Sequence, residues 1–80
     1  MDNSRVAEVL ESIGHILEIK GENPFKVRAY ENAARQLRAL TRPARELVEA
    51  GTLGELPGIG EALREKITEL LTAGRLGYYE

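Results

Sequence analysis

Val6, Val9, Leu10, Ile13, Ile16 and Leu17 recur at steps of three and four over residues 4–19, the period of a helix that buries one face. Asp2, Asn3 and Ser4 are the candidate N-caps, and Gly21 ends the helix. A second stripe, Val27, Tyr30, Ala33, Ala34, Leu37 and Leu40, follows the pair Asn23-Pro24. Asparagine suits an N-cap, and proline loses nothing at the first helical position, where its N–H would be unsatisfied anyway. Thr41 or Arg42 before Pro43 repeats that start signal for a short helix to Ala50, stopped by Gly51, with Leu47 and Val48 toward the core. The run Thr52-Leu53-Gly54-Glu55 reads as a capping box and predicts one further helical turn. Leu63, Ile67, Leu70 and Leu71 then define a last helix from Gly60 to near Gly74. No segment alternates with the period of a strand, so the pattern predicts an all-α, compact four-helix domain.

With 80 residues the chain has room for one domain, residues 1–80, and a modest core. Cysteine is absent, which excludes disulfides, thiolate metal sites and a cysteine nucleophile. No apolar run approaches the roughly 20 residues that span a bilayer, and the N-terminus lacks a signal-peptide layout. A soluble, cytoplasmic protein with no membrane partner is expected. The net charge of -2 argues against nucleic acid until its distribution is read. Between residues 20 and 45, Lys20, Lys26, Arg28, Arg35, Arg38, Arg42 and Arg45 face only Glu22 and Glu31, seven minus two, a surplus of five. Arg28, Arg35, Arg38 and Arg42 recur on one helical face, either a phosphate-facing stripe or a solvated one, while Glu8, Glu11 and Glu18 load the first helix with acid.

The stretch Leu56-Pro57-Gly58-Ile59-Gly60 joins the short turn to the last helix. Glycine supplies positive φ or close backbone approach, Pro57 stiffens the start of the turn, and Ile59 folds back into the core. Amides at the N-terminus of the following helix favour an anion, and a phosphate fits that description; a plain helix–helix turn is the simpler alternative. The pattern resembles the helix-hairpin-helix motif, a DNA-backbone binder without sequence preference. Read together, "IKGENPFKVRAYENAARQL" and "LPGIGEALREKITELLTAGRLGYYE" resemble the N-terminal domain of bacterial and archaeal family X DNA polymerases, equivalent to the small lyase domain of DNA polymerase beta, over roughly residues 4–79.

The resemblance implies binding of gapped or 5'-phosphorylated DNA in repair, in association with the nucleoid, beside the remainder of a polymerase chain that continues past Glu80. It marks Lys26, Arg28, Tyr30 and Arg35 on the second helix, and Gly58, Ile59, Gly60, Ala62, Arg64 and Lys66 at the hairpin, as the phosphate-binding set. The carbonyls of Gly54, Leu56 and Ile59 match those that hold a monovalent cation, Na+ or K+; no other cofactor is implied. Lys66 matches the lysine that, in some members, forms a Schiff base with an abasic sugar. Ala62 stands where DNA polymerase beta has a second phosphate-binding lysine, Phe25 replaces a histidine, and Tyr78 replaces another lysine, which implies weaker phosphate affinity.

Schiff-base chemistry needs a neutral amine, pulled down from a pKa of about 10.4 by burial or nearby cations. Lys26 would act in that direction if the fold brought it beside Lys66, whereas an ion pair with Glu65 or Glu69 would act against it. Lys66 therefore stays open between lyase nucleophile, phosphate contact and surface lysine. His15 lies beside Ile13 and Ile16, a partly buried or solvent-edge residue in preference to a metal ligand, since no second imidazole exists. Without an aspartate cluster the chain has no two-metal polymerase site. Tyr78 and Tyr79 either stack on a base, close the core or lead into a following domain. The acidic first helix leaves a third reading open, a protein-docking module with a purely structural hairpin.

Overall fold

The computed structural model describes residues 2–73. Asp2 accepts the Arg5 N–H at 2.8 Å and opens α1, Asn3–Ile19. Asn23 accepts the Phe25 N–H at 2.9 Å and opens α2, Pro24–Ala39, with Pro24 in its first turn. α3, Ala44–Ala50, a 3-10 turn, Leu53–Glu55, and α4, Glu61–Ala73, complete the described chain, which has no strand among these residues. The tail with Tyr78 and Tyr79 lies outside the described residues.

α1 and α3 stop in the same way. Gly21 and Gly51 take φ of +73° and +72°, and the following amides, of Glu22 and Thr52, reach back to Leu17 and Leu47 carbonyls at 3.0 and 2.9 Å. These six-to-one bonds satisfy carbonyls that a helix end leaves without donors.

The two long helices form the largest interface in the molecule. Val6, Leu10 and Ile13 of α1 meet Tyr30, Ala33, Ala34 and Leu37 of α2, all buried. Gly14 sits at the crossing, where a Cβ would come within 3.2 Å of the Tyr30 Cβ. The residue without a side chain lets the tyrosine lie against the α1 backbone. Ile59, Leu63, Ile67 and Leu70 from the second half of the chain close the same core.

Four expectations change. Ile16 is 46% exposed, because it continues the Val9 side of α1 beyond the elements that cover Val9. Neither Thr41 nor Arg42 caps α3. Pro43 occupies the cap position without a side-chain bond, and Asn3 of α1 does the work from a distance: its Oδ1 accepts the Ala44 N–H at 2.7 Å, while its Nδ2 donates to the Arg42 carbonyl at 2.9 Å. The capping box at residues 52–55 does not form either. Thr52 turns its hydroxyl back to the Leu47 carbonyl at 3.5 Å, drawn there by the end of α3, and the turn is 3-10. Finally, α2 ends at Ala39, so Arg42 leaves the proposed stripe for the connection and approaches Glu46 at 4.0 Å.

Arg45 Nη2 donates to the Leu71 carbonyl at 2.6 Å, tying α3 to the last turns of α4. The second half of the chain is thus fastened by polar contacts as well as by core. Replacing Asn3 by alanine should remove both of its bonds and lower unfolding free energy by about 1–2 kcal/mol in a urea titration. Asn3→Asp, which keeps the acceptor toward Ala44, should lose less.

Candidate nucleic-acid interface

Leu56, Pro57, Gly58 and Ile59 make a β-turn, closed by the Ile59 N–H on the Leu56 carbonyl at 3.3 Å. Gly58 holds φ +78° at the third position, the value of a type II turn, which proline at the second position favours. Ile59 is buried and anchors the turn in the core. The first helical bond of α4 runs from the Arg64 N–H to the Gly60 carbonyl at 2.9 Å, so the amides of Glu61, Ala62 and Leu63 are the orphan donors of its start. Glu61 in that turn favours the helix through the dipole and opposes an anion at the same place.

The glycines around the hairpin have different reasons to be there. A Cβ on Gly58 would fall on the Asn32 amide of α2, whose Nδ2 donates to the Pro57 carbonyl at 2.9 Å. Gly54 lies under Arg64, whose Nη1 would be 2.6 Å from a Cβ. Gly60 has neither positive φ nor any atom within 4 Å of a Cβ, so no contact among the described residues calls for glycine there.

Of the α2 residues expected at the site, Lys26 and Arg28 are exposed near its N-terminus. Arg28 lies over the Phe25 ring, 5.8 Å from its centre, and Phe25 is 75% exposed. Tyr30 is 4% exposed and its Cβ lies at the helix crossing, which leaves little of its surface for a ligand. Arg35 lines a notch with Glu11, His15, Glu18 and Glu31, on the α1 side of α2. Arg38 bonds Glu11 at 2.7 Å, and that hydrogen bond, with the charge of Glu11, raises its pKa above the ordinary arginine value. The arginine face therefore divides, with the acids of α1 neutralising part of it. Lys66 is half-buried on α4 between exposed Glu65 and Glu69, and Ala62 and Arg64 are exposed.

Gly54, Leu56 and Ile59 offer backbone oxygens, donors suited to a hard cation. The Leu56 oxygen already accepts the Ile59 amide, and the Arg64 guanidinium over Gly54 opposes a second positive charge. Among the described residues no group of three or more His, Asp or Glu could hold a metal ion, and no helix is long and apolar enough to cross a membrane.

Sequence reasoning missed Asn32 altogether and missed the reach of Asn3 to α3. Asn32 carries a signal in retrospect: asparagine is a poor helix former, and here it interrupts the alanines at 29, 33 and 34.

A short 3-10 turn, a type II hairpin and a helix that begins with open amides define an all-α helix-hairpin-helix domain. The chain belongs to that family: the helix-hairpin-helix domain model matches residues 1–76. It is also 36% identical over 75 residues to a DNA polymerase/3'-5' exonuclease PolX of Bacillus subtilis (strain 168). That match covers 94% of this chain and 13% of the relative, and it bears out the resemblance to the N-terminal region of a family X polymerase.

Gly58→Ala forces an L-residue into left-handed backbone and onto Asn32, and should cost at least about 1–2 kcal/mol of stability. Gly60→Ala should leave the melting curve unchanged within about 0.5 kcal/mol. Thermal denaturation of both variants beside the parent chain checks the pair.

Proposed function

We propose that this domain binds DNA through its phosphates, without base readout, at gaps or 5'-phosphorylated ends, as one part of a polymerase chain acting at the nucleoid. The observation that carries the reading is the hairpin. Its orphan amides open beside Gly60, where no described residue would lie within 4 Å of a Cβ, which leaves room for a ligand to meet the backbone. Glycine at 60 is then required by an incoming phosphate and not by the fold. Membership of the helix-hairpin-helix family and the likeness to a protein named as a DNA polymerase support the same reading.

Lys26 and Arg28 are exposed cations on α2, the helix whose Asn32 meets the hairpin, and Arg64 and Lys66 follow the hairpin along α4. The docking alternative finds less support: Glu8 is engaged by Arg5 at 3.0 Å and Glu11 by Arg38 at 2.7 Å, so two of the acids expected to meet a partner are matched within the chain.

A lyase reading rests on the match of Lys66, half-buried on α4, to the lysine that forms a Schiff base in some relatives of this fold. The amine would add to the C1' carbonyl of a deoxyribose phosphate and expel water as the imine forms.

Gel shifts on a gapped duplex with a 5'-phosphate test the main reading. With about three phosphate contacts, affinity should fall about 40-fold between 50 and 200 mM salt, with little dependence on base sequence. Gly60→Ala should bind several-fold more weakly while remaining folded. Salt-insensitive binding, or full affinity in Gly60→Ala, would refute the phosphate model. Replacing the 5'-phosphate by hydroxyl tests the end preference. In the same samples, borohydride should trap an adduct on the parent chain and not on Lys66→Ala if the domain is a lyase; no adduct in either would exclude that reading.

A further inference from the structure

The turn sequence Leu56-Pro57-Gly58-Ile59 does not by itself decide how the hairpin presents its backbone. Proline at the second position is compatible with type I and type II turns, and glycine at the third accepts both. The two differ by a rotation of the central peptide: ψ at the second residue moves between roughly +120° and −30°, which exchanges the faces to which the Pro57 carbonyl and the Gly58 amide point. In a planar trans peptide these two groups point in opposite directions, so fixing one aims the other.

Here the carbonyl is fixed by a side chain from another helix. Asn32 Nδ2 donates to the Pro57 oxygen at 2.9 Å, and the same amide fills the space a Cβ on Gly58 would take. Both contacts belong to the type II form seen in the Gly58 φ of +78°. The Gly58 N–H, on the far side of that peptide, meets no acceptor among the described residues. Asn32 is separated from Pro57 by 25 residues, so the bond is a tertiary one and ties α2, which carries Lys26 and Arg28, to the hairpin.

We propose that Asn32 is a positioning residue for nucleic acid: its amide locks the Pro57–Gly58 peptide in the type II orientation and so holds the Gly58 N–H outward for a phosphate oxygen. The lock is a property of the free protein; its use in binding rests on the phosphate-binding reading above. Without the donor, the central peptide is free to turn over, and the outward donor becomes an outward carbonyl, which repels the same phosphate. The effect on binding thus exceeds that of losing a neutral contact, although Asn32 itself never touches the ligand.

Two variants separate this role from stability. Asn32→Ala removes the donor, and Asn32→Asp keeps the shape while placing an acceptor against the Pro57 oxygen. In ¹⁵N-labelled protein, below the melting temperature of each variant, the Pro57 Hα to Gly58 HN cross-relaxation peak reports the peptide orientation, strong in type II and weak in type I. The parent chain should show the strong peak. Both variants should weaken it while the amide signals of α1 stay in place, and both should bind the gapped duplex about tenfold less tightly, with Asn32→Asp the worse. Asn32→Gln retains an amide donor and should recover part of both signals. An unchanged peak in Asn32→Ala and Asn32→Asp would overturn the lock. A weakened peak with unchanged affinity would overturn the positioning role. If the parent chain itself fails to bind DNA, the phosphate-binding reading and the positioning role fall together, while the peak still decides whether the lock exists.

Discussion

The crossing of α1 and α2 at Gly14 and Tyr30 is the contact on which the rest of the molecule is mounted. The close approach of the Tyr30 Cβ to Gly14 brings the two long helices together, and Leu63, Ile67 and Leu70 of α4 close the same core. Small domains have little apolar area to spare, so a single well-filled crossing counts heavily in their stability. The hairpin half rests on this platform through a smaller set of apolar contacts, and its orientation is then refined by directional bonds. Asn3 fixes the start of α3, Arg45 the end of α4, and Asn32 the hairpin itself.

Charge follows the same division. The surplus of basic residues between positions 20 and 45 does not become one continuous field, because α2 lies against an acidic helix. Arg38 is absorbed by Glu11, and Arg35 shares its notch with three glutamates. Among the described residues, the exposed cations of this stretch outside those ion pairs include Lys26 and Arg28 at the N-terminal end of α2, with Arg28 over Phe25. The net charge of -2 is therefore compatible with a local phosphate site, since screening confines each exposed charge to about 10 Å at ordinary salt.

Features whose cause lies within a few residues were legible from the sequence. The apolar periods located α1, α2 and α4, Asn23-Pro24 located the start of α2, Pro43 and Gly51 bracketed α3, and the glycine pattern at 58 and 60 located the hairpin. Features with a distant cause were not. The cap of α3 comes from a residue 41 positions away, and no local rule connects Asn3 to Ala44. Thr52 and Glu55 had the letters of a capping box, yet the neighbouring helix end offered the threonine a carbonyl first. Ile16 kept the helical period beyond the point where anything covers it, and Tyr30 had the composition of both a core and a binding residue until its burial assigned it to the core. At the hairpin, the sequence located the backbone donors but not the side chain that aims them.

The long-range cap on α3 carries a consequence for the order in which the molecule assembles. A seven-residue helix is far too short to persist in water by itself, and this one begins with a proline that offers no cap oxygen. The Glu46 N–H reaches the Pro43 carbonyl locally at 3.0 Å, but the Ala44 N–H finds its partner only after α1 has formed and the chain has closed a loop of some forty residues back to Asn3. α3 is accordingly a late element: α1 and α2 can zip together as neighbours in sequence, whereas α3 waits for the N-terminus to arrive. The same dependence runs backward on unfolding, so that fraying at the first turn of α1 releases α3, and the amides of residues 44–46 should trade their protons for solvent deuterium ahead of those at the helix crossing.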